Sequence, residues 1–92
     1  MIVRISTEGQ YEIADDHAER LNQIDNAIVD AVSAGNQDTF RRLFDEMLGL
    51  IRDKGRELGD DELNDSDVIV PPPDLTLEEA GREFSGEGLI PG

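Results

Sequence analysis

The chain has no cysteine, no tryptophan, one lysine and only four aromatic side chains, Tyr11, Phe40, Phe44 and Phe84. Each shortage excludes something. Without cysteine there are no disulfides, no thiolate nucleophile and no zinc–sulfur site, and nothing points to an oxidising compartment. No run approaches the ~18 apolar residues of a transmembrane helix. The opening MIVRISTEGQ lacks the apolar stretch of a signal peptide, so a cytoplasmic location without direct membrane insertion is expected. On that expectation, the glycosylation sequon at Asn64–Ser66 is a chance match. A chain of 92 residues makes one domain, and at this size only roughly 60–65% of the unfolded surface is buried on folding. The core is therefore modest.

Acidic residues are abundant. Net charge is −14, from 22 acidic residues against eight basic ones. That sign repels nucleic-acid phosphates and anionic lipid head groups. Three explanations stay open: a solvated surface that keeps the protein soluble, adaptation to high salt, and an arginine-rich basic partner.

The pattern along the chain predicts an α+β fold: an N-terminal β-hairpin, an antiparallel two-helix hairpin, then a short C-terminal strand and short helix. VRISTEGQYEI alternates as a hairpin over residues 2–13. A two-residue Glu8-Gly9 turn would put Ile5 opposite Glu12 and mix the faces. A three-residue Thr7-Glu8-Gly9 loop instead sets Ile5 opposite Tyr11, Val3 opposite Ile13 and Arg4 opposite Glu12, with Gly9 in the left-handed position. The first helix spans 16–34, with Asp16 and Glu19 as a capping pair. Its apolar repeat is Leu21, Ile24, Ile28, Ala31 and Val32; Gly35 ends it and Asn36 caps its successor. The second helix, 37–54, carries Phe40, Leu43, Phe44, Met47, Leu48, Leu50 and Ile51 over roughly 160°, wider than the ~100° stripe of a surface helix. It must pack on two sides, against the first helix and against either the sheet or another chain. Either the C-terminal segment or a second copy of the chain covers the surplus, and a homodimer would use Leu43, Met47 and Leu50.

An acidic connector, 59–67, leads to the segment 68–92. There VIV forms a brief strand and Pro71-Pro72-Pro73 an extended stretch. Thr76-Leu77-Glu78-Glu79 is a capping box for a helix near 76–84, which Gly81 weakens and SGEG ends. Val68–Val70 and Leu89–Ile90 are expected to pack on the hairpin or on the second helix.

Chemistry is sparse. A calcium loop of the EF-hand type needs glycine at position six and glutamate at twelve; counted from Asp60, those places hold Asp65 and Pro71, so no metal site is expected. His17 is the only histidine, near the edge of an apolar face, and no serine stands in a nucleophile elbow. No catalytic residue and no cofactor follow from these patterns. Asp25 lies within the first helix's apolar arc, where it either reaches Arg41 or Arg42 or receives an arginine from a partner.

MIVRI…EGQY, LNQIDNAIVDAVSAGNQDTFRRLFDEMLGLI and DVIVPPPDLTLEEA…GEGLIPG together resemble the PspA-associated family, PspAA, over nearly the whole chain. PPPDLTLEEA and GLIPG are the most specific strings. The resemblance implies a small cytoplasmic protein, without catalytic residues or cofactor, acting beside PspA. PspA is the coiled-coil phage-shock protein that protects stressed membranes. An adaptor that binds this partner and tunes it is the function so implied, placed peripherally at the inner face of the membrane through the partner. Candidate contacts are Leu43, Met47 and Leu50 as apolar anchors, flanked by Asp38, Asp45, Glu46 and Asp53, with Asp25 as a further point. The alternative is an acidic antagonist that neutralises a toxin or mimics nucleic acid against a basic partner.

Overall fold

The computed structural model describes residues 1–59, 65–84 and 88–90. Among the described residues seven elements follow in order: β1 (Ile2–Ile5), β2 (Gly9–Glu12), α1 (Asp15–Ser33), α2 (Gln37–Lys54), β3 (Arg56–Glu57), β4 (Val68–Val70) and α3 (Leu77–Glu83). The strands form one sheet in the order β3-β2-β1-β4. β1–β2 and β2–β3 are antiparallel, whereas β4 returns parallel to β1 after the helical pair. A lone hairpin is marginal in water, and here a neighbour on each side completes it.

The hairpin loop is three residues long, but it comes one residue earlier than the sequence suggested. Val3 faces Tyr11, Arg4 faces Gln10 and Ile5 faces Gly9. Ile5 is thus not opposite Tyr11, Val3 is not opposite Ile13, and Arg4 is not opposite Glu12. The loop is Ser6-Thr7-Glu8, closed by a hydrogen bond from the Glu8 N–H to the Ile5 carbonyl (3.0 Å). Thr7, at φ 74°, takes a left-handed place inside the loop, and Gly9, which follows the loop, is also at positive φ, 148°. The reason is parity. Moving the register by two residues keeps every side chain on its face, so alternation cannot choose between the two arrangements. Met1 decides. Its ammonium donates to the Ile13 carbonyl (3.0 Å) and its carbonyl accepts from the Ile13 N–H (2.8 Å), extending the ladder by one rung. Glu12 instead meets Arg56 of β3 at 3.5 Å.

α1 begins at Asp15 with Ala14 as its N-cap, and no side chain caps it. The expected Asp16–Glu19 pair does not form, because the helix starts earlier and draws Asp15 and Asp16 into its first turn. There their charges complement the positive end of the helix dipole. Its C-terminus is a Schellman turn: Gly35, at φ 69°, donates to Val32 and Asn36 donates to Ala31. Asn36 also caps α2, its Oδ1 accepting from the Thr39 N–H at 3.1 Å. One residue closes one helix and opens the next, which fixes the antiparallel pairing of α1 and α2.

The core lies between the helices and one face of the sheet. Val3, Ile5, Val68 and Val70 come from the strands; Leu21, Ile24 and Ile28 from α1; Phe40, Phe44, Met47, Leu48 and Ile51 from α2. Burying each such side chain is worth about 1.5–3 kcal/mol. α2 does pack on two sides, against α1 and against α3. Phe84, at the end of α3, meets the rings of Phe40 (6.4 Å) and Phe44 (6.0 Å) edge-on. The C-terminal segment therefore supplies cover for which a second copy was the alternative. Despite Gly81, α3 runs to Glu83, secured at one end by the Thr76–Glu79 capping box and at the other by Phe84.

Candidate functional site

Among the described residues, Asp25 is the one carboxylate in the core. Helical spacing sets it between Leu21 and Ile28 on α1, and it is fully buried. No arginine reaches it. Its Oδ1 accepts from the Leu89 N–H and its Oδ2 from the Ile90 N–H, both at 2.9 Å. Gly88, at φ 87°, brings the chain in so closely that a Cβ there would lie 2.6 Å from Oδ2. Leu89 and Ile90 are consequently tied to α1 through their backbone, and their side chains pack against the core. Two backbone N–H donors satisfy the buried carboxyl oxygens where an arginine was expected.

Arg41 is engaged elsewhere. It donates to the carbonyls of Pro73 (3.0 Å) and Leu75 (3.2 Å) and to Asp45 Oδ1 (2.9 Å). Its guanidinium also lies 5.7 Å from the Phe40 ring centre and 5.2 Å from that of Phe44. Prolines offer carbonyls without competing N–H groups, and a planar fork of donors with a stacking face suits this junction. Arg42 is exposed on the outer side of α2. Sequence reasoning missed the role of Arg41. The available signal was an arginine beside Phe40 and one turn before Phe44, in a chain that also carries a proline run.

The apolar anchors divide. Met47 is core, at 1% exposure, while Leu43 and Leu50 are half-buried and packed against the core. All three lie on the same flank of α2. Glu46, farther round that flank, bonds Arg20 of α1 at 2.6 Å, so the flank faces α1. The anchors line the seam of the helix pair and do not form a free ridge. The acidic residues face outward: Asp38, Asp45, Glu46 and Asp53 are all exposed. Asp45 is paired with Arg41 and Glu46 with Arg20, whereas Asp38 and Asp53 form no ion pair among the described residues.

Charge also ties the hairpin loop to α2. Arg52 forms a two-pronged pair with Glu8, its Nε donating to Oε2 at 3.1 Å. These hydrogen bonds hold the Glu8 carboxyl below the usual range and push the Arg52 guanidinium up. Burial raises the Tyr11 phenol, and the nearby Glu8 and Glu57 charges add to the effect. Among the described residues, no group of three or more His, Asp or Glu side chains is placed to hold a metal. Residues 60–64, most of the acidic connector that failed the calcium-loop pattern, lie outside the described residues. His17 sits half-buried in the first turn of α1. No helix among the described residues is long and apolar enough to cross a membrane.

Taken with the fold, this surface defines a small α+β domain whose Arg41, Arg20 and Asp25 bind its own chain and whose α2 turns carboxylates to solvent. The chain matches the family described as PspA-Associated protein, PspAA, over residues 1–92, and it belongs to that family. No curated protein and no solved structure matches it.

Proposed function

We propose that this protein is a non-enzymatic adaptor that binds a PspA-like coiled-coil protein and tunes its membrane-protective activity. The observation that carries this reading is membership of the PspA-associated family along the whole chain. The family's description supplies the partner, and the surface supplies compatibility. The outer face of α2 offers Asp38, Asp45, Glu46 and Asp53 to a basic stripe on a partner helix. Such a contact associates quickly and weakens with salt. Leu43 and Leu50, half-buried in the seam, add apolar area at its edge. The adaptor works in the cytoplasm, reaching the inner face of the membrane through its partner.

The test is direct association of the two purified proteins at low salt, with charge reversal on the α2 face to separate contact from folding. Association that fails at low salt, together with unchanged envelope-stress tolerance in a deletion strain, would refute the adaptor. The net charge of −14 favours one second reading, an acidic antagonist of a basic toxin or nuclease. A pulldown from native lysate separates the two by the partner recovered.

A further inference from the structure

A groove runs between the N-terminal half of α2 and the turn that leads into α3. It encloses about 440 Å³, with Phe40, Leu75 and Leu77 among its walls and Gln37, Asp74 and Glu78 at its edge. The wall opposite α2 is Asp74–Glu78, part of the PPPDLTLEEA string that the proposed contact on the outer face of α2 does not use. We propose, building on the adaptor reading, that this groove seats a lysine- or arginine-bearing segment of the coiled-coil partner.

The occupant's chemistry follows from what lines the groove. Asp74 and Glu78 are exposed and make no ion pair among the described residues. The one cation on the lining, Arg41, is matched by Asp45 and turns further donors toward the carbonyls of Pro73 and Leu75. The groove therefore offers uncompensated negative charge beside apolar walls. A long basic side chain fits both features, since its alkyl stem lies on apolar surface while its head seeks carboxylates. The wall already shows this preference, because Arg41 lays its guanidinium over the Phe40 and Phe44 rings. Strand addition at the neighbouring edge is the poorer alternative: β4 is three residues long and prolines follow it at once. By helical projection, Asp38 and Asp45 lie on the groove side of α2, so the groove continues the acidic face.

The experiment titrates the purified PspA-like protein with the wild-type full chain, a D74N/E78Q variant and an E19Q/D30N variant. The last removes the same charge from exposed positions on α1. Thermal melts by circular dichroism check that each variant is folded. D74N/E78Q should bind about tenfold more weakly at low salt, a gap that narrows as salt screens the contact. E19Q/D30N should stay within about twofold of wild type, as expected for charges away from the contact. Equal affinities for all three chains, or equal losses in both variants, would overturn the groove and leave the adaptor reading standing. Absence of wild-type binding would overturn both. Self-association in sedimentation that only D74N/E78Q abolishes would give the groove to a second copy, which also overturns the proposal.

Discussion

The two carboxylate oxygens of Asp25 each accept one backbone N–H, from Leu89 and from Ile90, at 2.9 Å. Both oxygens are thereby committed. Asparagine has nearly the same shape but one acceptor, so its amide would aim a donor at an N–H donor. Asp25→Asn should destabilise the fold by about 1–3 kcal/mol, the cost of leaving a buried polar group unsatisfied. Urea denaturation measures the loss, and hydrogen exchange should quicken first at the Leu89 and Ile90 amides. A variant as stable as wild type would mean that the C-terminal residues are held by apolar contact alone. Gly88→Ala should loosen the same contact, since its Cβ would have no room beside Oδ2.

Two glycines should behave in the opposite way. Gly49 and Gly81 lie inside α2 and α3, exposed, and a Cβ at either place would meet nothing within 4 Å. Alanine there lowers the backbone entropy lost on folding without steric cost, so each substitution should stabilise by about 0.5–1 kcal/mol. The check is the midpoint of denaturation. Destabilisation by Gly49→Ala would be at odds with the open surface around it.

Much of this architecture was legible because its signals are local. Asn36 caps α2 with its own side chain, and Thr76 with Glu79 closes a capping box within one turn. Both helices they start could be placed to within a residue. What was missed depends on distance in the chain or on parity. β3 is two exposed residues, Arg56 and Glu57, too short for any periodicity, and Gly55 places it by letting the backbone pass Ile13 and Tyr11 closely. The hairpin register differs by a two-residue step to which alternation is blind. Asp25 was recognisable as an anomaly on an apolar face, but its partners lie 64 and 65 residues away. Met47 and the half-buried Leu43 and Leu50 were identifiable as apolar, and only the placement of α1 shows which surface they serve. The acidic residues of α2 needed no tertiary information, since a charged stripe opposite an apolar one faces solvent.

Arg41 joins α2 to the proline segment through two carbonyls and two ring faces. Lysine keeps the charge but loses the planar fork and the stacking surface. Arg41→Lys should therefore cost about 1.5–3 kcal/mol, the range for hydrogen bonds to a charged group. Asp45→Asn, which disturbs only the exposed ion pair, should cost under about 1 kcal/mol. Comparable losses in the two variants would place the value of Arg41 in its ion pair and not in its grip on Pro73 and Leu75.

Acid should weaken the fold through two glutamates. The Thr76 N–H and hydroxyl hold the Glu79 carboxyl below its ordinary value of 4.5, and the Arg52 guanidinium does the same to Glu8. A carboxyl whose pKa is lower folded than unfolded contributes stability that is present above its unfolded value. That contribution is lost as pH falls through the folded one, because protons then bind the unfolded chain more readily. The window therefore lies below about 4.5. Stability of the wild type should fall more steeply between about pH 5 and pH 3 than that of an E8Q/E79Q variant, which cannot titrate at either place. Glutamine can still act at the third position of a capping box, so the variant retains much of the α3 cap. Raised salt should shrink the difference, since both groups are near the surface and screening acts on the Arg52–Glu8 pair most directly. Parallel curves for the two proteins would show that neither glutamate is held more tightly in the folded chain than in the unfolded one.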